Sequence, residues 1–362
     1  MQKPLPTPRP EPLAGLPRPA QWLVLLVASV VLSALFELGH LPAALLVGPM
    51  IAAIVLGING VSVRPPKLLN LGAQAIVGCL IAASLEPGAF ASFLDEWPIF
   101  LAVIVMTLTA STFLGYMISR WKVLPGTTAV WGTTPGAASA MVLMADAFGA
   151  DARLVAFMQY FRVILVSLTA ALIARLTLDT SGVEAPAFIW FPPLDGIALA
   201  ETLAIALAGI VLARVTRLPS GVFLIPMALG AALHLGGLVD LELPPWLLAA
   251  SYFIIGWTIG LNFTRPILLH AARALPQIIG ATVALIAFCA ALGFLMSEML
   301  GLDPLTTYLA SSPGGIDAVA VIAAASDRVN LSFVMALQTA RVLIVLAAGP
   351  PLARLVARWV KD

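Results

Sequence analysis

Long apolar stretches separated by short polar ones run through the chain from about residue 20 to residue 358. In the first half they lie near 21–39, 42–59, 68–85, 97–119, 127–147 and 153–177. In the second they lie near 197–213, 219–238, 246–263, 275–300, 305–325 and 331–356. Most approach or exceed the roughly 18–20 apolar residues that carry a helix across a bilayer. Only helices and closed barrels satisfy their backbone groups in lipid, and the short alternating runs of a barrel are missing. The pattern therefore predicts an all-α polytopic membrane protein.

The pattern also repeats. LPAALLVGPM at 41–50 resembles LPSGVFLIPM at 218–227, and AIVGCLIAAS at 75–84 resembles FIIGWTIGLN at 253–262. TTPGA at 133–137 matches SSPGG at 311–315, and QYFRV at 159–163 matches QTARV at 338–342. Four matches in one order, offset by 177 to 179 residues, indicate a duplicated unit. The resulting layout is a Pro-rich tail over 1–20, expected to be disordered and cytoplasmic, a first repeat over 21–179, a linker over 180–195 and a second repeat over 196–358. The tail lacks the apolar core of a signal peptide.

The fifth segment of each repeat, 127–147 and 305–325, is interrupted by hydroxyls, a proline and glycine. If those two segments are re-entrant or broken, each repeat holds five spans and the second is inverted. The whole chain then has about ten transmembrane helices plus two re-entrant or broken ones. Charge favours this arrangement. With the N-terminus inside, it puts 15 of the 19 Lys and Arg in cytoplasmic loops, against 11 when both repeats point the same way. Basic residues prefer that side, so both termini are expected in the cytoplasm, with the protein in the inner (cytoplasmic) membrane. Inverted repeats with interrupted helices at matched positions are the sequence mark of secondary transporters, whose site lies near the midplane.

Composition changes little in this picture. Charged residues make up 10% of the chain, mean hydropathy is +1.03 and net charge is +1, which leaves no basic module for nucleic acid. Cys79 and Cys289 form no CxxC pair and read as small core residues. Three scattered histidines show no metal-ligand spacing, so no cofactor is expected, only H⁺ or Na⁺ as a coupling ion.

The chemistry concentrates at the two interruptions. Pro135 and Pro313 cannot continue a helix, while Gly136, Gly314 and Gly315 permit unusual backbone angles. Thr133, Thr134, Ser139, Ser311 and Ser312 add hydroxyls beside freed backbone groups. Each helix that restarts after Pro-Gly offers a positive N-terminus to an anion. Arg162 and Arg341 fall mid-helix, and a charge at the bilayer centre costs at least about 2.5–3.5 kcal/mol on insertion scales. Gln159 and Gln338 lie one turn before them. All of these are candidate substrate-binding residues. An equally weighted alternative is structural: Arg341 neutralises Asp317 or ties down the carbonyls freed at its interruption, and Arg162 does the same for its own half. Removing Arg162 is on the first reading expected to abolish ligand binding in a folded protein. Asp317, two residues past Gly315 and opposite Arg341, is the candidate for H⁺ or Na⁺ coupling.

At TTPGAASA with QYFR and at SSPGGIDA with QTAR, the chain resembles the AbrB family of bacterial membrane proteins, over about residues 20–358. That family is similar to the larger group of cation/proton antiporters and anion transporters. The resemblance implies core hairpins at 127–147 and 305–325, elevator-like movement, and a scaffold including 42–59 and 219–238 that forms a homodimer. The family has also carried the labels of gene regulator and ammonia monooxygenase. Isolated histidines cannot build a copper or iron oxygenase site, and no soluble stretch is long enough for a DNA-binding module. The chain therefore reads as a non-enzyme: a transporter of a small anionic or zwitterionic metabolite in a lipid bilayer, with a channel or a membrane scaffold for a regulatory partner as alternatives.

Overall fold

The structure is a computed structural model that describes residues 13, 15–39, 43–84, 97–177, 190–218, 220–314 and 329–360. Thirteen helices and no strands lie among the described residues. The first half contributes α1 (Arg18–Leu38), α2 (Ala44–Gly57), α3 (Lys67–Ala83), α4 (Trp97–Arg120), α5 (Thr128–Thr133), α6 (Ala138–Ala147) and α7 (Ala152–Thr177). The second contributes α8 (Gly196–Thr216), α9 (Gly221–Leu235), α10 (Pro245–Gly260), α11 (Arg265–Leu300), α12 (Pro304–Ser311) and α13 (Leu331–Val360).

Five of these, α1, α4, α8, α11 and α13, are long and apolar enough to cross a membrane. Others are shorter than the apolar runs suggested: α2, α9 and α10 have 14, 15 and 16 residues. At 1.5 Å per residue they extend about 21–24 Å, less than a hydrocarbon core of about 30 Å. Ala43 and Ser220 hold left-handed backbone angles at matched positions and open α2 and α9 two residues inside the apolar run. The first helix also departs from expectation. It begins at Arg18, inside the stretch assigned to the tail, because Pro19 fits the first turn, where a missing N–H loses no helical bond. Leu13 N donates to Asn59 O and ties the preceding turn down. Residues 1–12 and most of the 180–195 linker lie outside the described residues.

The halves reach into each other through reciprocal contacts. On α3, a Cβ at Gly78 would lie 2.5 Å from Phe223 O of α9. On α10, a Cβ at Gly256 would lie 2.9 Å from Leu46 O of α2. The two contacts are the same contact made twice, at the offsets seen in the sequence. Small residues let apolar helices approach where no hydrophobic force separates lipid from side chain. Gly78→Val is therefore expected to force α3 and α9 apart at a cost of about 1–3 kcal/mol. Gly72→Ala, on the same helix with nothing within 4 Å, should leave the melting temperature of the detergent-purified protein unchanged.

Candidate functional site

The first interruption breaks one apolar segment into two half-helices. Helix α5 stops at Thr133, Thr134 and Ala137 take extended backbone angles, and α6 restarts at Ala138. In the second half α12 ends at Ser311, and Ser312 is likewise extended. Residues 315–328 lie outside the described residues, and with them Gly315 and the expected coupling residue Asp317.

A half-helix ending in apolar surroundings exposes carbonyls that a further turn would normally satisfy. Helices α7 and α13 supply the missing donors. Gln159 Nε2 donates to Trp131 O at 2.7 Å and Thr134 O at 3.0 Å. Arg162 Nη1 donates to Thr133 O at 3.2 Å and Thr134 O at 2.9 Å. Arg162 Nη2 also donates to Gln159 Oε1 at 2.6 Å, which fixes the amide's orientation. The second half reproduces each bond. Gln338 Nε2 donates to Leu309 O at 2.7 Å and Ser312 O at 3.2 Å. Arg341 Nη1 donates to Ser311 O at 3.3 Å and Ser312 O at 2.6 Å, and its Nη2 to Gln338 Oε1. The Gln-x-x-Arg spacing is thus the spacing that lets an amide and a guanidinium, one turn apart, close the C-terminal end of a half-helix.

The hydroxyls seal the same ends. Thr133 Oγ1 donates to Ser111 O of α4 at 2.9 Å, and Ser311 Oγ to Cys289 O of α11 at 3.0 Å. Thr134 Oγ1 and Ser312 Oγ turn back onto Val130 O and Leu309 O. Both long helices carry a glycine at the crossing. A Cβ at Gly115 would lie 2.6 Å from Thr133 Oγ1, and one at Gly293 2.9 Å from Ser311 Oγ. Gly136 is buried beneath Val345 of α13 and Met141, and Ser139 is half-buried. The sequence reading passed over Thr128 and Thr306. Their hydroxyls accept from Asp151 N and Asn330 N, tying the start of each half-helix to the loop before α7 or α13. Their recurrence at the repeat offset was the available signal.

Both arginines are almost fully buried, at 2% and 4% exposure, yet neither has an acidic partner among the described residues. Each Nε also lacks a hydrogen bond there. The guanidiniums are close enough to feel one another's charge, and Cys289 lies in the field of both. Each cation meets the negative end of a half-helix dipole, which is worth about 0.5 of an elementary charge at most. Among the described residues, two such ends leave the positive charge of the two guanidiniums only partly compensated. Cys79 and Cys289 are buried and free. No group of three or more His, Cys, Asp or Glu with metal-binding geometry occurs among the described residues.

The doubled Pro-Gly and Gln-x-x-Arg arrangement extends over a chain that matches a family sequence model described as "Transition state regulatory protein AbrB" across residues 45–357. The chain belongs to the AbrB family. A protein of Escherichia coli (strain K12) named "Putative regulator AbrB" is 45% identical over 340 residues, covering 94% of this chain and 97% of its own. A protein of Bacillus subtilis (strain 168) named "Uncharacterized protein YhjN" is 27% identical over 308 residues, covering 80% of this chain and 78% of its own. This AbrB-family protein is an all-helical membrane protein.

Proposed function

We infer that the protein is a secondary transporter of a small anionic or zwitterionic metabolite, built from two inverted repeats that meet at the paired Arg162 and Arg341 caps. The observation that carries this reading is the positive charge left at the meeting point of two interrupted helices. A buried charge needs a partner, and an anionic group on a solute supplies one.

Inversion has its own support. Asn70, early in α3, meets Thr258, late in α10, at 3.5 Å. The repeat offset carries this pair onto Leu80, late in α3, and Leu248, early in α10. The α3 residues Ile76 and Cys79 and the α10 residues Leu247 and Leu248 share one apolar cluster. Helices α3 and α10 thus run antiparallel while being repeat equivalents. Equivalent neighbours running in opposite directions favour an axis perpendicular to them, which in a membrane lies in its plane. On this reading α5 and α12 enter from opposite faces, α4 to α7 and α11 to α13 form the moving core, and α1 to α3 and α8 to α10 form the scaffold of a homodimer. Either H⁺ or Na⁺ drives the cycle, with Asp317 as coupling carboxylate.

The word regulator in the Escherichia coli relative's name, and regulatory in the family description, favour a second reading, a channel or a membrane scaffold for a regulatory partner. Uptake of labelled metabolites into vesicles separates them. Accumulation that collapses when the H⁺ and Na⁺ gradients are dissipated is expected. Flux insensitive to both gradients would make the protein a channel, and no flux for any small acid or amino acid would leave the scaffold.

A further inference from the structure

A second polar region lies away from the arginine caps. Helices α3, α6, α7 and α10 enclose a cavity of about 330 Å³, within the range of small-molecule sites, about 300–1,000 Å³. Its polar lining includes Asn70, Gln74, Asp146, Asp151, Arg153 and Thr258. Asp151 and Arg153 pair with each other at 2.8 Å. Burial works against the Asp151 charge, but the Arg153 guanidinium outweighs it and holds the carboxyl below its usual range. That pair is neutral as a unit. Asp146 has no ion pair among the described residues, so the cavity carries one net negative charge, opposite in sign to the arginine centre.

The duplication provides an internal control. Features needed to build the fold, such as the Gln-x-x-Arg caps and the Gly78 and Gly256 contacts, occur in both halves. The cavity's polar lining does not. At the repeat offset, Asn70, Gln74 and Asp146 correspond to Leu248, Tyr252 and Ala324, and Thr258 corresponds to Leu80. Three of the four counterparts are apolar, so the repeat does not impose polar groups there, and one of the two equivalent spaces has gathered four polar residues, three from the first half and Thr258 from the second, on three separate helices. The Asp146 carboxylate can accept from a cationic donor, and the Asn70 and Gln74 amides lining the same cavity can donate to an acceptor.

We propose that this cavity binds a small zwitterion carrying an ammonium and a carboxylate, the ammonium at Asp146 and the carboxylate at the Asn70 and Gln74 amides. As a transported solute this assignment rests on the transporter reading, and it selects the zwitterion over the simple anion. As a binding site it stands alone.

The test uses the full-length protein in detergent. Melting temperature is recorded against each of the twenty standard L-amino acids, with succinate and citrate as anions and putrescine as a cation. At least one amino acid is expected to raise the melting temperature, with neither dianion doing so. Asp146→Ala and Asn70→Leu, which install the residues of the other half, should weaken that amino acid's apparent affinity at least tenfold without lowering the melting temperature of the free protein. The proposal fails if no amino acid binds, if only the anions or putrescine bind, or if binding survives both substitutions. Counterflow in proteoliposomes keeps the two readings apart. Binding that needs Asp146, with no flux, would remove the transporter and keep the cavity. Gradient-driven uptake indifferent to both substitutions would do the reverse.

Discussion

Replacing Arg162 with alanine is expected to destabilise the protein by about 3–5 kcal/mol, the usual loss when one member of a buried charged network is removed. The change removes a donor from Thr133 O, Thr134 O and Gln159 Oε1; Thr134 O keeps Gln159 Nε2 and Gly136 N, and each buried acceptor left bare costs about 1–3 kcal/mol. Relief of a desolvated charge offsets part of that sum. The capping geometry thus revises the expectation that Arg162→Ala leaves a folded protein lacking only its ligand. Arg162→Lys separates the two roles. It keeps the charge but cannot span two carbonyls and an amide with a planar fork. A capping role predicts that lysine also lowers the melting temperature substantially. If only charge mattered, lysine would restore both stability and uptake. Arg341→Ala should match Arg162→Ala closely, since its bonds are the same. An alanine at either position that melts like the unmodified protein would rule out the caps as structural supports.

The same network shows what a linear sequence can and cannot reveal. The duplication, the interrupted segments and the Gln-x-x-Arg pairs were legible because each is a local string that recurs at a constant offset. That the arginines turn toward carbonyls 28 to 30 residues earlier was legible only as one of two alternatives. A sequence shows that a charge lies mid-membrane, not which way its side chain points. Recurrence in both halves did not decide between them, since a duplicated fold repeats its supports and a symmetric site repeats its ligands. The lining of the α3–α6–α7–α10 cavity was not legible at all. Asn70, Gln74, Asp146 and Thr258 are single polar residues on different helices, and each alone resembles an ordinary helix-end residue. Short helices were missed for a related reason: hydropathy marks apolar surface, and α2, α9 and α10 spend much of theirs on one another and on α3 rather than on lipid.

Planting a carboxylate in the field of both arginines should abolish uptake while sparing the fold. Cys289 is fully buried on α11 and lies in the field of both guanidiniums, so aspartate there is the nearest intramolecular copy of a bound anion. If the centre carries the positive charge inferred from two unpaired arginines and two weak helix ends, Cys289→Asp ionises and pairs with them. The melting temperature should then equal or exceed that of Cys289→Asn, which has similar shape and no charge. Uptake of any anionic or zwitterionic solute that needs the arginines should fall to background in the aspartate variant and persist in the asparagine variant. If the half-helix carbonyls already neutralise the centre, the new carboxylate is an unpaired buried charge and costs about 3–5 kcal/mol. Aspartate melting well below asparagine would therefore overturn the positive centre, and the anion-binding reading with it. The comparison is decisive because the two side chains differ by one ionisable group at a position where solvent cannot screen it.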